Sequence, residues 1–351
     1  MANSSILLEP FKLNAAIKLK NRIVMAPMTR NKATDDLSPT TEMATYYAKR
    51  AAAGLIITEG AIIRPDGRGY SHTPGIYTQQ HIAGWKKVTQ AVHEQDGKIF
   101  LQIWHVGRVS HPIFLNGALP ISASETKMTG KLRRAENLYY GQARALAVSE
   151  IKELINSYAN AASAAKEAGF DGIEIHGANG YLIDQFLHYH TNQRQDEYGI
   201  TPENLARFAL EVVDACIREI GRERVGLRLS PGAYLNEMVG DKRDAEVFAY
   251  LLTQLITRQI AYVHTGNFDD AVHFKELDNQ TMTAFMRHHF QGNLIASGSY
   301  TVQKAAEQIQ KHQFDLIAFG RPFIANPDFV KRVQAAASLQ SYEVAMLETL
   351  V

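Results

Sequence analysis

A chain of 351 residues, 46% hydrophobic and 21% charged, is long enough for a large core and unlike a disordered polypeptide. Its net charge of +1 gives no excess of either sign to draw it to nucleic acid or an anionic membrane. The single cysteine, Cys216, excludes an intramolecular disulfide and a cysteine-ligated iron–sulfur cluster, and it lies on an apolar helical pattern that reads as core. The N-terminal residues lack a basic region followed by an apolar one, and no apolar run approaches a membrane span. The expectation is a cytoplasmic enzyme acting on small molecules.

In chain order, Leu7–Leu13 and Ile17–Leu19 predict a hairpin. Short apolar, β-rich runs then recur at Ile23–Ala26, Leu55–Thr58, Ile99–Ile103, Gly172–Ile175, Val225–Leu229, Tyr262–Thr265, Leu294–Ser297 and Leu316–Phe319. Helical patterns fall between them, among them Thr78–Gln95, Ser149–Ala168, Pro202–Ile220, Ala245–Arg258, Val302–His312 and Pro327–Ala337. Thr201-Pro202-Glu203 is a helix start, Asn326-Pro327-Asp328 reads as another, and Ala168-Gly169 is a helix end. Strand–helix alternation argues for a parallel sheet, and eight units argue for one closed (β/α)8 TIM barrel over residues 1–351, its far end capped by the N-terminal hairpin. A doubly wound open sheet would need fewer strands and a glycine-rich turn after the first; Met25-Ala-Pro-Met-Thr29 is not one.

One connection is too long for a plain barrel. Between Trp104 and about Ser149 lie Pro112, Gly117, Pro120, Gly130 and the basic run Lys131-Leu-Arg-Arg134. An excursion on this side of a barrel, between the third strand and the third helix, predicts a lid or site wall, with the basic run as a solvated face.

The strand ends carry the chemistry. Ser297-Gly298-Ser299 and Gly320-Arg321 follow strands seven and eight, where barrels hold phosphate; glycine admits a close approach and arginine can fork onto two oxygens. Arg228, on a central strand, needs an anionic or strongly accepting partner. Gln102, a polar residue in an apolar strand, can donate and accept, as reading the edge of a flavin-like heterocycle requires. Thr29 can donate to such a ring, and Gly60 would leave it room. His176 and Asn179, just beyond the fourth strand, can grip one carbonyl or nitro oxygen and polarise a conjugated C=C. Tyr181 can deliver a proton. A metal site at His176 lacks matched ligands, and the pairs His188–His190 and His288–His289 read as surface or packing residues.

Five collinear segments carry a resemblance over nearly the whole chain. They are Asn21–Arg30, Leu101–Arg108, His176–Leu187 with Asn192–Gly199, Leu227–Pro231 and Phe319–Asp328. The chain resembles the old yellow enzyme family of FMN-dependent ene-reductases, and within it N-ethylmaleimide reductase-like members. The resemblance implies a barrel with non-covalent FMN at its C-terminal mouth and NADPH or NADH as electron donor. It implies that Pro27, Met28, Thr29, Gly60, Gln102 and Arg228 lie along the flavin, and that Ser297, Gly298, Ser299, Gly320 and Arg321 hold the phosphate. His176 and Asn179 would bind the substrate oxygen, with Trp104 and Tyr70 as pocket walls. Hydride would pass from the flavin N5 to the β-carbon of an activated alkene (an α,β-unsaturated carbonyl, maleimide or nitro compound), and Tyr181 would protonate the α-carbon. Thr29, where a second branch of the family has cysteine, places the chain in the other branch. The implied assembly is a monomer or homodimer.

Two segments depart from the family pattern. The chain ends in Ser341–Val351, which does not match the aromatic-bearing tails of relatives, and Glu136-Asn-Leu-Tyr-Tyr140 in the predicted lid is also atypical. Competing readings are a dienoyl-CoA reductase-like flavoenzyme, which needs the iron–sulfur cluster excluded above, a metal-dependent barrel lyase or isomerase, and a flavin-binding protein without turnover.

Overall fold

A computed structural model describes residues 4–133 and 137–351. Eight strands form a closed barrel: β1 (Ile23–Met25), β2 (Leu55–Ile62), β3 (Ile99–Trp104), β4 (Gly172–Gly177), β5 (Val225–Leu229), β6 (Tyr262–Thr265), β7 (Leu294–Ala296) and β8 (Leu316–Phe319). All pairings are parallel and sequential, and β8 closes onto β1. The predicted strands are therefore the barrel strands. Parallel strands buried on both faces read as continuous apolar runs, which is why they were visible in the sequence.

The helices are α1 (Thr41–Ala48), α2 (Gln79–His93), α3 (Val148–Glu167), α4 (Leu182–Leu187), α5 (Pro202–Ile220), α6 (Asp244–Arg258), α7 (Met282–His289), α8 (Val302–Gln310), α9 (Arg321–Ala325) and α10 (Phe329–Gln334). Thr201 caps α5 by accepting from Asn204 N–H, with Pro202 in its first turn. The last predicted helix differs: Pro327 lies outside α10, which starts after Asp328 and ends at Gln334. Asn326 takes an extended conformation at the end of the separate α9, as a residue before proline prefers, so the chain breaks there.

The barrel interior is layered along each strand. At its base Phe100 and Tyr262 pack with Leu55, Ile57, Ile295 and Leu316, and Leu13, Ile17 and Leu19 close this end from below. Leu19 belongs to the predicted hairpin, whose paired strands are Phe11–Lys12 and Lys18–Leu19. Two residues above Phe100 stands Gln102, and two above that Trp104, because side chains alternate across a strand. Polar groups thus sit in the middle of the barrel and aromatic groups at its mouth.

The excursion between β3 and α3 carries a small sheet of Ile121–Ser122, Thr126–Lys127 and Gln142–Ala145. It is anchored twice. The Glu237 carboxylate accepts from Thr129 N and from Gly130 N (2.7 Å), and Arg194 donates to Ala123 O (2.7 Å) and Leu146 O (2.6 Å). Lys131 and Arg133 are exposed as expected of a solvated run, but Leu132 between them is buried with Tyr70, Trp104 and Tyr181. Arg134 of that run and Glu136 of the atypical segment lie outside the described residues. No helix among the described residues is long and apolar enough to cross a membrane.

Candidate active site

At the mouth, four rings pack together. Trp104 lies near-parallel to Tyr70 (5.6 Å between ring centres) and to His176 (5.8 Å), and Tyr181 meets Trp104 edge-on at 4.7 Å. The Tyr70 and Tyr181 hydroxyls are 3.0 Å apart. Burial and the neighbouring Tyr181 push the Tyr70 phenol well above its ordinary value, so it stays protonated.

His176 is buried, and its Nδ1 receives the Ala178 N–H at 3.4 Å. That contact places the ring proton on Nε2. Burial, Arg228 and His264 hold its pKa well below the usual histidine value. At neutral pH it is therefore an uncharged donor. Asn179 follows in a left-handed turn, φ 63°. Its Oδ1 accepts from the Tyr234 hydroxyl at 2.6 Å, which leaves its NH2 as the donating end.

Below this cluster the barrel register brings buried polar groups together. Gln102 pairs across strands with Glu174, and Arg228 with both His176 and His264. Gln102 Nε2 donates to Glu174 Oε1 at 2.8 Å, and His264 Nδ1 meets Glu174 Oε2 at 2.8 Å. Burial alone would raise the Glu174 carboxyl, but His264 and Arg228 outweigh it and hold it below the usual range. Gln102 must therefore donate to Glu174, and its carbonyl oxygen is the end left for a ring N–H.

Beside these groups opens a cavity of 440 Å³. Pro27, Met28, Arg228, Ser297, Gly298, Ser299, Gly320 and Arg321 all line it, as the sequence predicted for cofactor residues. Gly298 has φ 127°, and a Cβ there would lie 2.6 Å from Asp270 N, so only glycine fits this turn. The Ser297 and Ser299 hydroxyls donate to Thr265 O and Phe268 O, so main-chain N–H groups and Arg321 are what this loop offers an anion.

Thr29 is half-buried next to Met28. Gly60 differs from expectation: a Cβ there would strike the Trp104 indole at 2.4 Å, so the room it leaves is taken by Trp104 rather than by a ligand ring. The sequence reading also missed Asn267, Phe268 and Tyr300, which line the cavity from beyond β6 and β7. The end of β6 was the one strand end passed over, although Thr265-Gly266-Asn267 carries the same polar signal as its neighbours. It missed the tail as well. Tyr342 packs its ring 5.9 Å from the Arg321 guanidinium, and Arg30 and Arg50 bind the Thr349 and Val351 carbonyls.

The donor set fits a phosphate-bearing flat heterocycle. Arg228 has 8% exposure and makes one long hydrogen bond, from Nε to Thr265 O at 3.4 Å, so a buried cation lacks a close partner. Trp104 Nε1 and His264 Nε2 are buried without a hydrogen-bond partner among the described atoms. Polar atoms left so in a site await a ligand. Among the described residues no group of three His, Cys, Asp or Glu side chains is placed to hold a metal.

Residues 6–340 match the NADH:flavin oxidoreductase / NADH oxidase family. The chain is 39% identical to 12-oxophytodienoate reductase 7 of Oryza sativa subsp. japonica, over 96% of this chain and 89% of that protein. It is 40% identical to a probable flavin mononucleotide-dependent alkene reductase of Leishmania infantum, over 94% and 91%. Its fold superposes on the old yellow enzyme homologue from Zymomonas mobilis with a TM-score of 0.91 at 37% identity, covering 97% and 96% of the two chains. Morphinone reductase in complex with tetrahydroNAD gives 0.87 at 39% identity, covering 97% and 93%. The chain therefore belongs to the old yellow enzyme family of NADH:flavin oxidoreductases, FMN-dependent alkene-reducing enzymes built on a (β/α)8 barrel.

Proposed function

We propose that this protein reduces the C=C bond of α,β-unsaturated carbonyl, maleimide or nitro compounds, with His176 and Asn179 as the oxygen clamp and Tyr181 as the proton donor. The observation that carries this reading is the mouth itself: two N–H donors, from His176 Nε2 and Asn179 Nδ2, beside a phenol whose hydroxyl is supported by a second phenol.

FMN, when bound and reduced by NADPH or NADH, supplies the hydride. Arg228, Gln102 and Thr29 would hold its ring, and the loop at Ser297–Ser299 with Gly320 and Arg321 its phosphate. The clamp draws electron density from the alkene toward the substrate oxygen and so makes the β-carbon electrophilic. Because His176 is neutral, it binds that oxygen without protonating it. With Tyr70 donating to the Tyr181 oxygen, the proton of Tyr181 is the one given up to the α-carbon, and Tyr70 stabilises the phenolate left behind. Trp104 and the buried Leu132 and Met128 keep water from the reacting carbons.

The test is direct. The purified protein should be yellow and release FMN, and it should oxidise NADPH or NADH when cyclohexenone or N-ethylmaleimide is added. A colourless protein inactivated by a chelator would support the metal-dependent reading instead. A yellow protein without turnover would be a flavin-binding protein only.

A further inference from the structure

We propose that Tyr234 is a positioning residue: it fixes which end of the Asn179 amide faces the substrate and so makes the clamp selective for ligands that present an acceptor oxygen. This rests on the assignment of Asn179 to the clamp.

An asparagine amide is flat, and its oxygen and NH2 exchange places on a half-turn of the side chain. One end accepts and the other donates. Which end faces the pocket is set by what holds the opposite end. Here the loop beyond β5 holds Asn179 on every side. Asn179 N–H donates to Ser230 Oγ at 3.1 Å, Asn236 Nδ2 donates to Asn179 O at 2.7 Å, and the Tyr234 hydroxyl donates to Asn179 Oδ1 at 2.6 Å.

Ser230 Oγ also lies 3.3 Å from Asn179 Oδ1, but a hydroxyl has one proton, and that of Ser230 goes to Gly266 O at 2.6 Å. Tyr234 is therefore the donor that selects the amide orientation. A phenol donates far better than it accepts, so a flipped amide would leave the Tyr234 proton facing an NH2 group. An unmatched buried donor is costly. The Tyr234 ring is itself fixed, edge-on to Phe268 at 5.3 Å with the planes at 90°. Phe268 lines the cofactor cavity, so the clamp and the cavity wall are mechanically joined.

The experiment uses the FMN-loaded enzyme and two ligands of one shape, 4-chlorophenol and 4-chloroaniline, titrated by the change in flavin absorbance. In Tyr234→Phe the dissociation constant for the phenol should rise about tenfold, which corresponds to about 1.4 kcal/mol. That for the aniline should stay the same or fall, because the freed amide can now turn its oxygen to the ligand. The double variant with Asn179→Ala should bind the phenol no more weakly than Asn179→Ala alone. Retained FMN reports that the variant is folded, and if it is lost, Tyr234→His, which keeps a donor on a ring, should preserve the phenol preference. Equal weakening of both ligands, or of neither, overturns the role of Tyr234. Undiminished phenol binding in Asn179→Ala alone overturns the clamp assignment and this inference with it.

Discussion

Tyr181 and Tyr70 divide one task between two phenols 3.0 Å apart. Replacing Tyr181 by Phe removes the delivered proton but leaves the cofactor cavity untouched. Flavin reduction by NADPH should persist in that variant while alkene reduction falls by roughly 10²- to 10⁴-fold, the usual worth of a positioned acid. Tyr70→Phe should cost less, about tenfold, because it removes only the support of the phenolate. Stopped-flow measurement of the two half-reactions checks both, and unchanged alkene turnover in Tyr181→Phe would remove it from the role. These residues were legible because each is a polar side chain at the end of an apolar run. The Tyr234–Asn179 bond was not, since it joins two irregular turns 55 positions apart. No periodicity marks such a contact.

The elements around the site are joined by a buried ionic cluster. His188, just after α4, is fully buried, with Nδ1 2.8 Å from Asp244 of α6 and Nε2 3.4 Å from Asp184 of α4. Asp244 also accepts from Tyr189 N and Asp241 N, so it ties the segment beyond β4 to the one beyond β5. Burial alone would lower His188, but the two carboxylates outweigh it and push it up to about 10. A histidine raised above its ordinary value stabilises the fold fully below about pH 6.5, and that contribution is lost as pH rises through about 10. Thermal unfolding should therefore show a fall in midpoint between these limits that His188→Gln abolishes. Asp244→Asn should destabilise by about 3–5 kcal/mol at neutral pH, as expected when a buried pair loses one partner. An unchanged pH profile in His188→Gln would show that the imidazole is not charged in the fold. The sequence presented His188 as a packing residue, which its burial supports, but its charge depends on partners 4 and 56 positions away that only folding assembles.

At the scale of the whole molecule, the barrel was readable because every strand is apolar and every strand end is not. What could not be read is what closure adds. Gln102, Glu174, His264 and Arg228 come from four strands, and only the register makes them one network. That network carries buried charge, and the Arg228 guanidinium is its least satisfied member. The apoprotein should accordingly be less stable than the loaded form. Free FMN at about 100 times its dissociation constant should add about 2.7 kcal/mol, seen as a rise of several degrees in the unfolding midpoint. A chelator should change neither stability nor turnover. The lid belongs to the same unit, since Glu237 and Arg194 bind its main chain rather than its side chains. Its sequence is thus free to vary without loss of attachment, which accounts for an atypical segment in an otherwise regular member of the family.

The ring stack at the mouth also makes the protein its own optical gauge. The chain has two tryptophans. Trp85 is sealed in the outer core, its indole N–H donating to Gly75 O at 2.9 Å, while Trp104 lies between Tyr70 and His176. Emission from Trp85 is a fixed background. Any change in intensity or colour on adding cofactor or substrate comes from Trp104, so loading and occupancy can be followed by fluorescence without a label.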